Sequence, residues 1–151
     1  MSVFASSNRF SLDALDVLRP AGEAAVAATT PTDNSYALEI LQAYWAAGDL
    51  GTQRQFALIF TTESLTASGA TFAFQVEVAT TAVFTTPVVV GGPFAVSAAG
   101  SQVVIPIARE DIVTALGGPD ASLVGYLRGK VVVTGGTTPS VGWNCFIAPL
   151  V

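Results

Sequence analysis

Histidine is absent from the 151 residues, and cysteine occurs once, at Cys145. Together these exclude intrachain disulfides, Cys/His zinc sites, Ser-His-Asp triads, Cys-His dyads and histidine general bases. Charge is also scarce. Charged residues make up 11% of the chain, where about a quarter is usual. Lysine occurs once, at Lys130, and the formal net charge is −5. Nucleic-acid binding requires clustered cations to neutralise phosphates, and anionic membranes require the same, so neither partner is expected. No basic stretch followed by an apolar run opens the sequence, so no export signal is expected. With a free thiol, that fits synthesis in a reducing cytoplasm. The long charge-free stretch Val78 to Ala108 is broken by Pro87, Gly91, Gly92, Pro93 and Pro106, so it reads as several strands and not as a membrane span.

What the chain does have is 51% hydrophobic residues and repeated short alternating runs. Phe72, Phe74, Val76 and Val78 alternate with Ala73, Gln75, Glu77 and Ala79, the period-two pattern of a strand with one core face. Phe56, Leu58 and Phe60 form a second such row, and the two segments are expected to pair through the Ser68-Gly69 turn. Further strands are predicted at Thr81–Thr85, Pro87–Val90, Phe94–Ser97 and Val103–Ala108. Pro106 marks the last of these as an edge or a bulge. Ser122–Thr134 places Leu127, Gly129, Val131 and Val133 on one face. Val141, Trp143, Cys145 and Ile147 alternate in a final strand.

Arg109–Leu116 reads as a short helix, with acids in its first turn and Gly117 as its stop. Tyr36–Leu41 reads as a strand, with a helix over Tyr36–Ala47 as the alternative. Ser11–Leu18 could form one or two helical turns. Many short strands with Gly/Pro turns predict an all-β antiparallel sandwich or barrel with one or two short helices. Residues 1–33 are assigned to an N-terminal arm and 34–151 to the β-sandwich domain. Removing residues 1–19 is accordingly expected to leave the domain folded.

No pattern of catalytic or ligating residues emerges. Glu39, Glu63, Glu77, Glu110 and Asp111 are scattered acids and read as solvated. The Gly-Gly pairs are turns, and Cys145 reads as a buried apolar residue. The protein is expected to be no enzyme and to hold no metal or cofactor. Tyr44, Trp45, Tyr126 and Trp143 could stack on sugar rings, although core or interface packing explains them better. Apolar side chains on a segment outside a core mark an interaction site. Partner contacts are therefore placed on Phe4, Arg9, Phe10, Leu12 and Leu15 of the arm, and on Tyr44-Trp45.

Two stretches carry a resemblance. One is Phe56 to Thr61 with Glu63–Thr71 and the strand Phe72 to Val78. The other is Tyr126-Leu127-Arg128, Val131-Val132-Val133, Gly135-Gly136-Thr137 and the closing strand. Over Gln53–Ala108 and Leu123–Val151 the chain resembles the small capsid cement (decoration) proteins of tailed bacteriophages. It departs from them at Glu110–Ala121, which looks like an insertion, and at the longer Asp33–Gly51.

The resemblance implies a jelly-roll sandwich that binds the outer surface of an icosahedral capsid as a homo-oligomer, a dimer or trimer. There it would tie neighbouring major capsid proteins together, after synthesis in the host bacterial cytoplasm. The alternative is a carbohydrate-binding β-sandwich from a phage adhesin or fibre.

Overall fold

The computed structural model describes residues 17–40, 56–117 and 124–149. Nine strands and a helix follow in order: β1 (Val17–Arg19), β2 (Thr30–Pro31), β3 (Tyr36–Ala37), β4 (Phe56–Thr66), β5 (Ala70–Ala79), β6 (Val88–Val96), β7 (Gln102–Ile107), α1 (Arg109–Leu116), β8 (Tyr126–Gly135) and β9 (Ser140–Pro149). One sheet has the order β1-β9-β4-β7. The other has the order β2-β8-β5-β6, with β3 also pairing with β8. All pairings are antiparallel. Early and late strands interleave in both sheets, and among the described residues only β5 and β6 are consecutive neighbours within one sheet. This is the jelly-roll form of the β-sandwich.

The core lies between the sheets. Phe56, Leu58 and Phe60 of β4 meet Phe72, Phe74, Val76 and Val78 of β5, all buried. The rings of Phe60 and Phe74 stack with centroids 4.7 Å apart, and Trp143 of β9 lies 5.5 Å from Phe74. Leu127, Val131, Val141, Cys145 and Ile147 complete the centre. Gly129 sits where only a hydrogen fits, since a Cβ there would lie 2.8 Å from the Phe60 ring and 3.1 Å from the Cys145 sulfur.

The phases of β4 and β5 agree with the sequence, but their pairing does not. Ser68, at φ 46°, and Gly69, at φ 87°, turn the chain from one sheet to the other. The two strands therefore face each other across the core. β4 pairs with β9 and β7, and β5 with β8 and β6.

The arm boundary also moves. Residues 17–33 belong to the sandwich: Phe146 of β9 pairs with Val17, Cys145 pairs with Arg19, and Leu18 is fully buried. Thr30 and Pro31 pair with Val131 and Lys130. Removing residues 1–19 would thus strip β1 from its sheet, contrary to the expectation of a dispensable arm. Residues 1–16 lie outside the described residues.

Other local readings shift too. Tyr36–Ala37 is a strand, but the Leu38 amide donates to Gly125 O and the backbone is helical over Leu38–Ile40. The segment 81–85 forms turns instead of a strand, with Phe84 at φ 51°. The two short strands predicted around Gly91-Gly92 are one strand, β6, whose irregularities fall opposite Phe74–Glu77. α1 and its left-handed Gly117 cap, at φ 86°, lie where the sequence places them. β7 with Pro106 is an edge strand as expected.

One core position is imperfect. Thr62 Oγ1 and the indole Nε1 of Trp143, its cross-strand neighbour, are both buried without a hydrogen-bond partner. A buried hydroxyl left unpaired costs about 1–3 kcal/mol. Thr62→Val, which keeps the shape, is therefore expected to stabilise the fold by about 1 kcal/mol, read as a melting temperature about 2–4 °C higher. A loss of stability instead would reveal a water bridging the two atoms.

Candidate functional site

Three features of the surface stand out: two ionic clusters and one apolar edge. The first cluster lies on the outer face of the β8-β5 ladder, where Glu77 is directly opposite Arg128, and Gln75 opposite Lys130. Arg128 donates from Nε to Glu77 Oε1 at 3.0 Å and approaches it with Nη2 at 2.9 Å. Lys130 Nζ and Gln75 Nε2 donate to Oε2 at 3.2 and 2.9 Å. The Phe84 ring covers the Arg128 guanidinium at 4.2 Å. Glu77 is only 3% exposed, which overturns its reading as a solvated acid. Burial alone would push its carboxyl up, but the donors from Arg128, Lys130 and Gln75, together with the Lys130 charge, outweigh this and hold it below its ordinary value.

The second cluster pins residues 19–33 to the sandwich. Arg19 donates to Trp143 O at 3.0 Å and Ala24 O at 2.9 Å, with its guanidinium 4.9 Å from the centre of the Trp143 ring. Glu23 and Asp33 approach it at 2.9 and 3.5 Å. A hydrogen bond with Asp33 raises the Glu23 carboxyl above its ordinary value, against the pull of Arg19. Glu63 accepts from the Gly22 amide and from Asn144 Nδ2. Each charged side chain in the two clusters has a hydrogen-bond or ion-pair partner, although the first carries one cation in excess and the second two acids in excess. Both clusters fasten elements together.

The third feature is the side of the sandwich where β6 and β7, among the described residues each the terminal strand of its sheet, come together. Val88, Val89 and Phe94 of β6 are 40%, 45% and 48% exposed, and Val104 of β7 is 45% exposed. A groove of about 480 Å³ runs between Val88–Val90 and the Asp111, Thr114 and Ala115 side of α1. Natural edge strands are usually blunted by charge or proline. Val88–Gly91 carries neither, and the first proline in β6 is Pro93.

The residues named in advance fall differently. Phe4, Arg9, Phe10, Leu12, Leu15, Tyr44 and Trp45 all lie outside the described residues. Trp143 is fully buried in the core, so it offers no face to a sugar ring. Tyr126 is half-buried beside a pocket of about 140 Å³ with Ala37, Glu39 and Val124. Cys145 is buried, and burial pushes its thiol well above the ordinary range. Among the described residues no group of three or more Asp, Glu, Cys or His side chains is placed to hold a metal ion, and no helix is long and apolar enough to cross a membrane. The apolar edge was missed in the sequence, although its signal was there in an uncharged Val-Val-Val run.

The fold defines the class as a jelly-roll β-sandwich. The chain matches no protein-family model, no curated protein and no solved structure.

Proposed function

We propose that this is a virion structural protein, a capsid cement that binds the outer surface of an icosahedral phage capsid and stabilises contacts between major capsid proteins. The observation that carries the reading is the apolar side of β6 and β7, where Val88, Val89, Phe94 and Val104 are exposed. Monomeric proteins rarely leave contiguous apolar surface open unless something docks there. The ionic clusters support the same reading, since they stiffen the scaffold and leave the contact surface to shape and apolar burial. Many copies on one shell act together, so each contact can be weak. The resemblance over Gln53–Ala108 and Leu123–Val151 points the same way.

Purified protein is expected to cosediment with shells of the phage that encodes it, at a fixed ratio to the major capsid protein, and to raise the temperature at which those shells come apart. Absence from virions, or shells equally stable without it, would overturn the reading. Binding to a glycan array in place of shells would favour the carbohydrate-binding alternative, on which the burial of Trp143 already weighs.

A further inference from the structure

We propose that residues 80–87, between β5 and β6, form a latch: the Phe84 ring is locked on the Arg128 guanidinium, and loss of the negative charge on Glu77 releases the loop while the sandwich stays folded. The latch is independent of what the protein binds, and so of the capsid reading.

The loop has one anchor. It leaves β5 at Ala79 and re-enters the sheet at Val88, and of residues 80–87 Phe84 alone is buried. The Phe84 amide donates to Thr81 O at 3.1 Å and turns the backbone back on itself. Phe84 has φ 51°, a left-handed conformation that a bulky side chain adopts only where its surroundings impose it. Here the ring imposes it, with its centre 4.2 Å from the Arg128 guanidinium. Once the ring loses that seat, the backbone gains by leaving the strained conformation.

The seat in turn depends on Glu77. Nε and Nη2 of Arg128 both reach Glu77 Oε1, while Lys130 and Gln75 donate to Oε2. Arg128 and Lys130 are two apart on β8 and so share a face. The carboxylate between them offsets their repulsion and fixes the plane on which Phe84 lies. Without its charge, two cations stand side by side near water, and Arg128 turns outward. Arg128 stays charged at any working pH, so in acid Glu77 is the member that titrates.

The elements around Glu77 leave this pairing to β8. β6 sets Val89 opposite it, and residues 80–87 carry no ionisable side chain. α1 packs on β5 and β6 with Arg109, Glu110 and Asp111, of which Asp111 lines the groove beside Val88–Val90. Glu39 and Tyr126 share a pocket with Thr80. On the far side of β8, Pro31 pairs with Lys130 and Tyr36 with Leu127, while Asp33 approaches Arg19. The closed state holds the Glu77 carboxyl below its ordinary value. The latch therefore stays shut at neutral pH and opens as pH falls through the folded value. Val83 is exposed already, and opening adds the neighbouring ring, so acid turns a tethered loop into an apolar pair free to meet an apolar surface.

Hydrogen exchange of the Phe84 amide in the purified full-length chain tests this, because its bond to Thr81 O belongs to the closed loop. Rates are taken relative to unstructured peptide at the same pH. Wild type is expected to protect this amide at pH 7. Glu77→Gln should lose that protection by roughly tenfold or more beyond any loss in the β4-β9 ladder amides, the mark of a local opening. Ile105→Val, which loosens the core and spares the latch, should keep it. Between pH 7 and pH 3 the protection should decline in wild type and stay level in Glu77→Gln. Arg128→Lys keeps a cation for Glu77 but removes the flat seat, and should open the loop at pH 7. A Phe84 amide unprotected in wild type overturns the proposal. So does one unchanged in Glu77→Gln, or one that loses protection only in step with the ladder. Should Glu77→Gln not fold, Arg128→Lys and the wild-type acid series decide, and a loop that stays protected in either counts against the latch.

Discussion

Replacing Phe74 with alanine is expected to lower the stability of the fold by about 3–5 kcal/mol, the cost of emptying a large buried aromatic site. Phe74 is fully buried and reaches from its own sheet to the opposite one, where its ring meets Phe60 at 4.7 Å and Trp143 at 5.5 Å between ring centres. The surrounding strands are long ladders, so they have little freedom to close over the void. At about 2–4 °C per kcal/mol for a chain of this size, the melting temperature should fall by about 10 °C or more. A loss below about 1 kcal/mol would mean that the sheets collapse onto the cavity. Ile105→Val, a nearby deletion of one methyl, should cost only about 1 kcal/mol and serves as the scale.

The second large effect is expected at Glu77. Glu77→Ala leaves Arg128 and Lys130 without their acceptor on a half-buried surface. Losing one partner of a buried ion pair costs about 3–5 kcal/mol. Here the lower end applies, because the side chains of Arg128 and Lys130 are 18% and 23% exposed and can turn toward water. Glu77→Gln keeps the shape and loses the charge, and should cost less. The pH dependence separates charge from packing. Because the folded state holds the Glu77 carboxyl below its unfolded value, the ion pairs contribute fully above the unfolded pKa, about 4.3. That contribution fades as pH falls through the folded value. The stability gap between wild type and Glu77→Gln should therefore be wide at pH 7 and narrow in acid denaturation series toward pH 3. A gap unchanged by acid would assign the loss to packing alone. Glu23 works in the opposite sense. Its raised carboxyl takes up a proton more readily in the folded state, so its region gains stability as pH falls, and the comparison with Glu77→Gln cancels this common background.

How much of this was legible in the sequence depended on the range of the interaction. The phases of β5 and β9 could be read because each strand has a two-residue period over four repeats, and burial enforces it locally. α1 could be read because its acids and Gly117 are local signals of start and stop. The partner of β4 could not. Ser68-Gly69 marks a turn, but whether a turn returns within a sheet or crosses to the opposite one is fixed by what closes the core. Here that is the stack of Phe60 on Phe74. β1 was invisible because three residues cannot display a period, and Arg19 within it reads as polar until Trp143, far along the chain, is placed beneath it. The burial of Glu77 required Arg128 and Lys130 from another strand. The residues first singled out for partner contact lie outside the described part of the molecule. The edge that the structure does present, Val88–Gly91, is spelled in apolar residues that a periodicity search assigns to the core.

The adjacency of β1 and β9 governs how the domain bears load. Val17, at the start of β1, lies against Phe146, near the end of β9. Tension that draws the residues before Val17 away from the sandwich therefore acts across the ladder, opening its hydrogen bonds one after another instead of shearing them together. β1 has three residues, so the ladder itself offers a short zip. The next obstacles are Leu18, whose side chain is fully buried in the core, and Arg19, tied to two carbonyls and Glu23 and seated on the indole of Trp143. A pull of that kind would spend its first work on these two side chains, ahead of the long β4-β9 and β5-β8 ladders. An apolar anchor and a guanidinium together decide when the first strand lets go.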